Sequence, residues 1–403
     1  MANLFDYIKW RGDLSFDSDP FNEVDNLILC QLSYADFKLL KELDQDFLPL
    51  KQVYELYKAR MPENPDQKKI TPKLIAEKAL KDLGQSERYK DIKIGHYKHI
   101  VSKDPASQFV AVTYVLDQIN YIAYGGSDNT LIAWKDDLYF SYDSGTKSQL
   151  LALAYLEEME KILSGPIDLG GHSKGGNLAM YAGIFADPKT KARLRTIWAN
   201  DSPGFTHHME VDQQLMEIKD RICLFVPQSS VIGLLMEQVV KSQIIKADAK
   251  LIDQHYLHTW QVLGKSLVRE EALSEDAIFI KKAIDSWLAQ IPYDQRKEAI
   301  DGVFYSLEAA RAATFLELQE GGLKSIKQVL KAAKSLPKSQ YDLIVDLIGK
   351  FLSQSKDLFV ENVLESVNQT KQDLQEKIES ALADDKKDQL AKDQPNLLSQ
   401  EKE

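Results

Sequence analysis

The sequence is poor in cysteine and in positive charge, and both shortages limit what the protein can do. Only two of its 403 residues are cysteines, Cys30 and Cys223, and each lies within an apolar run. Two buried free thiols are therefore favoured over a disulfide, which fits a reducing cytoplasm. The 61 acidic residues outnumber the 50 lysines and arginines, and the net charge is −11. Because phosphate binding needs a basic surface, nucleic acid is not expected as a partner.

Long apolar runs and metal-ligand spacings are also lacking. No apolar run approaches the length that crosses a bilayer, so no transmembrane segment is expected. The N-terminal stretch MANLFDYIKWRGDLSFD has neither the apolar core nor the cleavage site of a secretory signal. His, Asp and Glu residues nowhere show the spacing of metal ligands, and we expect neither a metal nor a cofactor.

The pattern of residues changes along the chain and predicts four regions. Residues 1–88 are mostly helical, with apolar positions at helical spacing. In residues 89–265, β-rich runs lead into alternating strands and helices, which indicate βαβ units and a mostly parallel sheet. Residues 266–384 are again helical, and the polar residues 385–403 are predicted to be disordered. The predicted fold class is therefore α/β, with helical segments before and after the sheet.

A candidate contact surface lies in the last predicted helix. Apolar residues there repeat at alternating steps of four and three and form a short heptad seam that contains one lysine. A helix packed on its own domain is favoured over an intermolecular coiled coil, because the seam is short. Self-association through this C-terminal helix stays the alternative. The seam comprises Val360, Leu364, Val367, Lys371, Leu374, Ile378 and Ala381.

The stretch IDLGGHSKGGNLAMYAG, residues 167–183, contains the pattern G-x-S-x-G around Ser173. An apolar run precedes the serine and an Ala-rich helical run follows it, which is typical of a nucleophile elbow. The neighbours must be small because the serine occupies a tight turn that lifts its hydroxyl above the sheet. The same turn directs the N–H of Lys174 towards a developing oxyanion. A nucleophile is favoured over a structural glycine turn.

An aspartate and a histidine follow Ser173 in the chain order that accompanies a nucleophile elbow. Asp201 comes directly after the next predicted strand, RTIWAN, and is expected at the same sheet edge as Ser173. Its alternative role is that of a turn residue or helix cap. His255 follows the last strand-like run and is the first candidate for the base, with His258 as the alternative. In this hypothesis His255 takes the proton of Ser173, and Asp201 fixes the tautomer of the ring.

Two further segments are candidates for other parts of the site. The run NYIAYGG leads into Ser127, whose N–H and hydroxyl are candidates to join the N–H of Lys174 in an oxyanion hole. A simple glycine-rich loop fits the same residues equally well. The apolar run VIGLLMEQVV, residues 231–240, fits a buried core helix better than a lid or the wall of an acyl pocket.

Several segments together resemble a bacterial family of lipase-like α/β hydrolases of unknown function, which is distantly similar to fungal-type lipases. The resemblance begins in the N-terminal region and extends into the C-terminal helical region. It implies an α/β-hydrolase fold with a mostly parallel central sheet, whose core is formed by residues 89–265. The segments that carry it are FDYIKWRGDLSFDSDPFNEVDNLILCQLSYADF, YIAYGGSDNTLIAWKDDL, GGHSKGGNLAMYA, NDSPGF, VPQSSVIGLLM and QHYLHTWQV.

The resemblance also assigns the residues of a catalytic triad. Ser173 stands at the position of the nucleophile in this family. Asp201 stands at the position of the acid, and Ser202 replaces the glycine that usually follows it. His255 stands at the position of the base, and Tyr256 replaces the acidic residue that usually follows it.

The resemblance covers the oxyanion turn and the reaction as well. Ser127 stands at the threonine of that turn, and Gly125 stands where the family usually has an arginine. The implied function is that of a serine hydrolase, an esterase or lipase acting on a small-molecule or lipid ester or thioester. The alternative is a catalytically degenerate hydrolase fold that serves as a binding or scaffolding module. The resemblance does not identify a substrate.

Overall fold

The structure is a computed structural model of the 403-residue chain. It describes residues 1–60 and 71–278, except 129, 144, 207, 208, 210 and 250. Further along it describes residues 281, 282, 285, 292–308, 322–334, 336–338, 341 and 345. The described residues fall into two compact units, of which the first runs to Phe304 and the second begins at Tyr305. The predicted heptad seam and the polar tail lie outside the described residues.

A sheet of eight strands, whose spatial order equals their order in the chain, forms the centre of the first unit. The first four strands pair antiparallel, and each pair from the fourth strand to the eighth is parallel. This is the mostly parallel sheet of an α/β-hydrolase fold, as the sequence predicted. The strands are β1 (Phe47–Pro49), β2 (Lys93–Lys103), β3 (Ala106–Val115), β4 (Asn120–Tyr124), β5 (Ile167–His172), β6 (Leu194–Asn200), β7 (Ile222–Pro227) and β8 (Gln243–Ile245).

Helices precede the sheet, alternate with its parallel strands and follow it. Among the described helices, none combines the length and the apolar character that a membrane crossing requires. A separate strand pair consists of β9 (Val262–Leu263) and β10 (Ser266–Leu267). The helices in the described part of the chain are α1 (Leu4–Arg11), α2 (Glu23–Leu32), α3 (Leu50–Arg60), α4 (Pro72–Gln85), α5 (Leu131–Tyr139), α6 (Lys147–Ile162), α7 (Lys174–Phe185), α8 (Pro188–Arg193), α9 (Asp212–Met216), α10 (Arg296–Glu308) and, in the second unit, α11 (Gly322–Ala333).

Apolar side chains cover both faces of the sheet. Because successive side chains of a strand point to opposite faces, neighbours in β4 pack into different clusters. Tyr121 packs with the N-terminal helices α1, α2 and α4, whereas Ile122 packs with α6 and α7. All six residues of β5 are buried, as expected for a strand covered on both sides. The N-terminal helices are therefore one of the two layers that bury the sheet.

Several local predictions need correction. The predicted helical region 1–88 also contains β1, which pairs with β2 and extends the sheet. The run VIGLLMEQVV contains one 3-10 turn, Ile232–Leu234, and no core helix. Both cysteines are free thiols, and Cys30 is buried while Cys223 is partly exposed. The limits of the four predicted regions stay predictions.

Candidate active site

The turn around Ser173 joins the end of β5 directly to the start of α7. Ser173 has φ +59° and ψ −131°, a backbone conformation that costs an L-residue about 1–3 kcal/mol. The flanking glycines allow this turn because the chain approaches itself closely there. A Cβ on Gly171 would overlap the carbonyl group of Gly175, and a Cβ on Gly175 would overlap the backbone of Tyr124. The pattern G-x-S-x-G thus forms a strained strand-to-helix turn.

The register of the sheet brings the candidate residues to one edge. The last residue of β5, His172, pairs with Asn200, the last residue of β6. Ser173 and Asp201 are therefore the first residues beyond two neighbouring parallel strands. Such an edge, at the carboxyl ends of parallel strands, is where α/β proteins place their sites.

Asp201 is buried and its carboxylate has a fixed orientation. The residue has φ +47° and is 1% exposed. Its Oδ1 atom accepts hydrogen bonds from the Ser230 hydroxyl at 2.5 Å and from the Gly233 N–H at 3.0 Å. Gly233 belongs to the run VIGLLMEQVV, so this segment supports the carboxylate. The other oxygen, Oδ2, is left to face His255.

The ring of His255 lies against Asp201. Its Nδ1 is 2.7 Å from Oδ2 of Asp201, and 21% of the side chain is exposed. Because a carboxylate accepts, Nδ1 carries the hydrogen and the neutral ring keeps a free electron pair on Nε2. The preceding residue holds this loop: the Ser229 N–H donates to the Gln254 side chain, and the Trp260 indole donates to the Gln254 carbonyl.

The alternative histidine, His258, has a different environment. Its Nδ1 is buried and makes no hydrogen bond within the described part of the chain. Burial and the nearby charge of Lys78 lower the pKa of His258. Among the described residues, the histidine that contacts Asp201 is His255 and not His258.

Two residues that sequence reasoning did not assign to the site hold the His255 loop. The Nε2–H of His172 donates to the main-chain carbonyl of His255 at 2.7 Å, and the two rings lie 4.3 Å apart. The Tyr34 hydroxyl is 2.7 Å from Nδ1 of His172 and also bonds to the backbone of Gly126. Burial lowers the pKa of His172 well below its usual value, so this ring is neutral and accepts the Tyr34 hydrogen.

The turn after β4 contains Ser127, the candidate for the second oxyanion donor. The Ser127 hydroxyl lies 2.7 and 2.6 Å from the two carboxylate oxygens of Asp137 in α5. Its single hydrogen is therefore used, which leaves only the N–H for an oxyanion and corrects the expectation that the hydroxyl is a second donor. Burial raises the pKa of Asp137 to about 6, although Lys174 and Ser127 both oppose the shift. Sequence reasoning did not find Asp137.

A cavity of about 310 Å³ opens beside this turn. Its lining combines apolar and aromatic side chains with charged ones, as ligand pockets usually do. Lys38 and Lys73 both lie near one carboxylate, that of Asp36, at 3.4 and 3.5 Å. Within the described part of the chain, no three His, Cys, Asp or Glu side chains group as metal ligands would. The lining includes Tyr34, Tyr97, Val110 and Ser127.

Comparisons with known proteins identify a family for this chain. The Mbeg1-like family matches residues 83–305. Among solved structures, the crystal structure of M37 lipase aligns with a TM-score of 0.29 and 15% identity, over 52% of this chain and 68% of that chain. A comparison with curated proteins found no match. The eight-stranded, mostly parallel sheet is that of an α/β-hydrolase fold. Because the family match covers more than half of the residues, the chain belongs to the Mbeg1-like family, a lipase-like family.

Proposed function

We propose that the protein is a serine hydrolase that cleaves an ester or thioester through Ser173, His255 and Asp201. The observation that carries the proposal is the 2.7 Å bond between His255 Nδ1 and Asp201 Oδ2. This bond lies at the sheet edge where Ser173 occupies its strained turn. Strain at a polar residue that the surrounding backbone holds in place is typical of functional sites.

The proposed reaction follows from the roles these groups can take. The Ser173 hydroxyl attacks the acyl carbonyl, and His255 Nε2 takes its proton while Asp201 stabilises the imidazolium. The N–H groups of Lys174 and Ser127 are the proposed donors to the oxyanion. His255 then gives the proton to the leaving alcohol or thiol, and an acyl-enzyme remains. Water, deprotonated by His255, releases the acid and restores Ser173.

An ester with an apolar acyl group fits the surroundings of the turn. Helix α5 begins four residues after Ser127 and exposes two large apolar side chains one helical turn apart. Trp134 is 40% exposed and Leu138 is 41% exposed. A pair of exposed apolar side chains beside a candidate site offers a surface for an acyl chain. This favours lipid-like esters over small polar esters.

Labelling with a fluorophosphonate probe tests the proposal, because such probes react with activated serines. The wild-type protein is expected to label, and Ser173→Ala is expected to lose the label. The matched control is Ser18→Ala, which removes an exposed serine of the N-terminal segment and should label like wild type. A wild-type protein that is folded by circular dichroism but labels no better than Ser173→Ala would reject catalysis. That result would support the alternative, a binding or scaffolding module.

A further inference from the structure

The side chain of Lys174 is buried beneath the turn whose backbone it belongs to. Lys174 is 1% exposed, and its Nζ lies 2.7 Å from the Gln108 side-chain oxygen. The same ammonium is 3.2 Å from Asp136 Oδ2 and 3.7 Å from Asp137 Oδ1. Burying an ammonium is strongly unfavourable unless it is paired. A strand-to-helix turn does not need a lysine at this position, so the buried charge requires another explanation.

The two carboxylates beside Lys174 have separate attachments. Asp136 accepts from the Gln108 N–H at 3.1 Å and from the Ser148 hydroxyl at 3.1 Å, so it is tied to β3 and α6. Asp137 is the next residue, retains 26% exposure and accepts the Ser127 hydroxyl through both of its oxygens. Lys174 therefore contacts a fixed carboxylate and the carboxylate that holds the oxyanion turn.

We propose that the Lys174 side chain is a positioning group that couples the two halves of the oxyanion hole. This inference rests on the proposed hydrolase function. The backbone N–H of Lys174 is one proposed donor, and the N–H of Ser127 is the other. The Lys174 ammonium attracts Asp137, and Asp137 holds the Ser127 hydroxyl. Lys174 thus supplies one oxyanion donor, its N–H at the start of α7, and positions the other, the Ser127 N–H after β4.

The charge of Lys174 also keeps Asp137 ionised. Burial and the neighbouring Asp136 raise the pKa of Asp137, whereas Lys174, the Ser127 hydroxyl and His255 lower it. Burial raises the pKa of Tyr34, and the nearby Cys30 and Asp137 add to that shift. Removing the ammonium is therefore expected to raise this pKa above its value of about 6. Below this raised pKa, Asp137 is protonated and releases the Ser127 hydroxyl. The variant is therefore expected to lose activity on acidification at a higher pH than wild type.

The test compares Lys174→Met with wild type in the hydrolysis of a p-nitrophenyl ester. A misplaced oxyanion donor lowers kcat, and we expect a loss on the order of 10- to 100-fold with little change in KM. Ser127→Ala should give a similar loss, and the two changes together should cost no more than one alone, since they break the same connection. The matched control is Lys191→Met, another buried lysine with a carboxylate partner, Glu217, at 2.6 Å.

The outcomes distinguish a positioning role of Lys174 from a merely structural one. A Lys174→Met protein with a lower melting temperature but unchanged kcat and pH profile would show a merely structural lysine and overturn the inference. Should this variant fail to fold, Lys174→Met with Asp136→Asn restores the charge balance, and Ser127→Ala tests the tether alone. A wild-type protein that neither labels nor hydrolyses esters would instead reject the hydrolase function. The two failures are therefore distinguishable.

Discussion

Replacing Asp201 by asparagine changes the hydrogen bonds of the site but not its shape. The Ser230 hydroxyl and the Gly233 N–H both donate to Oδ1 of Asp201, so the amide oxygen of asparagine must take that place. The amide NH₂ group then faces His255 Nδ1. In the opposite orientation, the amide NH₂ group of the asparagine would face the Gly233 N–H. Both groups are donors, so the buried Gly233 N–H would lose its hydrogen-bond partner. The structure therefore predicts one orientation for the new side chain.

That orientation forces His255 into the wrong tautomer. Nδ1 must then accept from the amide, so the hydrogen of the neutral ring moves to Nε2. In the proposed reaction, Nε2 can then no longer accept the Ser173 proton. In the serine-protease template, this change lowers kcat by about 10⁴-fold, which corresponds to about 5 kcal/mol in the barrier. We expect a loss of that order in ester hydrolysis, with little change in stability, because every buried donor around Oδ1 keeps its partner.

Steady-state kinetics on an activated ester measure the effect. The matched control is Asp253→Asn, which changes an exposed carboxylate two residues before His255 and should leave kcat within about twofold of wild type. If Asp201→Asn retained kcat within about tenfold of wild type, orientation of His255 by Asp201 would be refuted. A large loss in both variants would point to a general effect of charge near the ring.

Two further predictions concern the turn and its supports. Tyr34→Phe removes the donor to the buried Nδ1 of His172, so urea unfolding should show a loss of about 1–3 kcal/mol; an unchanged midpoint would contradict the assigned hydrogen bond. Ser173→Gly relieves the backbone strain at φ +59° and should raise the unfolding free energy by about 1 kcal/mol or more, whereas Ser173→Ala should not. Equal stability of the glycine and alanine variants would show that the turn is not strained.

Three of the residues that sequence reasoning found share one property: each follows the end of a strand. Ser173, Asp201 and Ser127 come after β5, β6 and β4, and a strand leaves a local pattern that can be read without knowing its neighbours. Parallel strands bring their carboxyl ends to one edge of the sheet. The positions of these residues after successive strands were therefore enough to predict that they lie near one another. The pairing of Asp201 with His255 was also predicted, and the structure brings the two side chains into contact.

The supporting residues could not be found in this way. Asp137 lies in the helical segment WKDDL, where two adjacent carboxylates look like an ordinary solvated face. Tyr34 belongs to the N-terminal region, and nothing near it in sequence indicates a bond to His172. The Gly233 contact with Asp201 was hidden because VIGLLMEQVV has the composition of a core element. Each of these roles depends on a contact between distant segments, which a local pattern does not record.

The hydrogen bonds around His172 have a consequence for the synthesis of the chain. Tyr34 bonds to a residue 138 positions later, and His172 bonds to a residue 83 positions later. Contacts of such sequence separation form late and slow folding, because long loops must close first. A nascent chain therefore cannot form these bonds, and cannot complete the proposed triad, before His255 has left the ribosome and the N-terminal helices have docked. Probe labelling of Ser173 during translation would then report the completion of folding rather than the appearance of the serine.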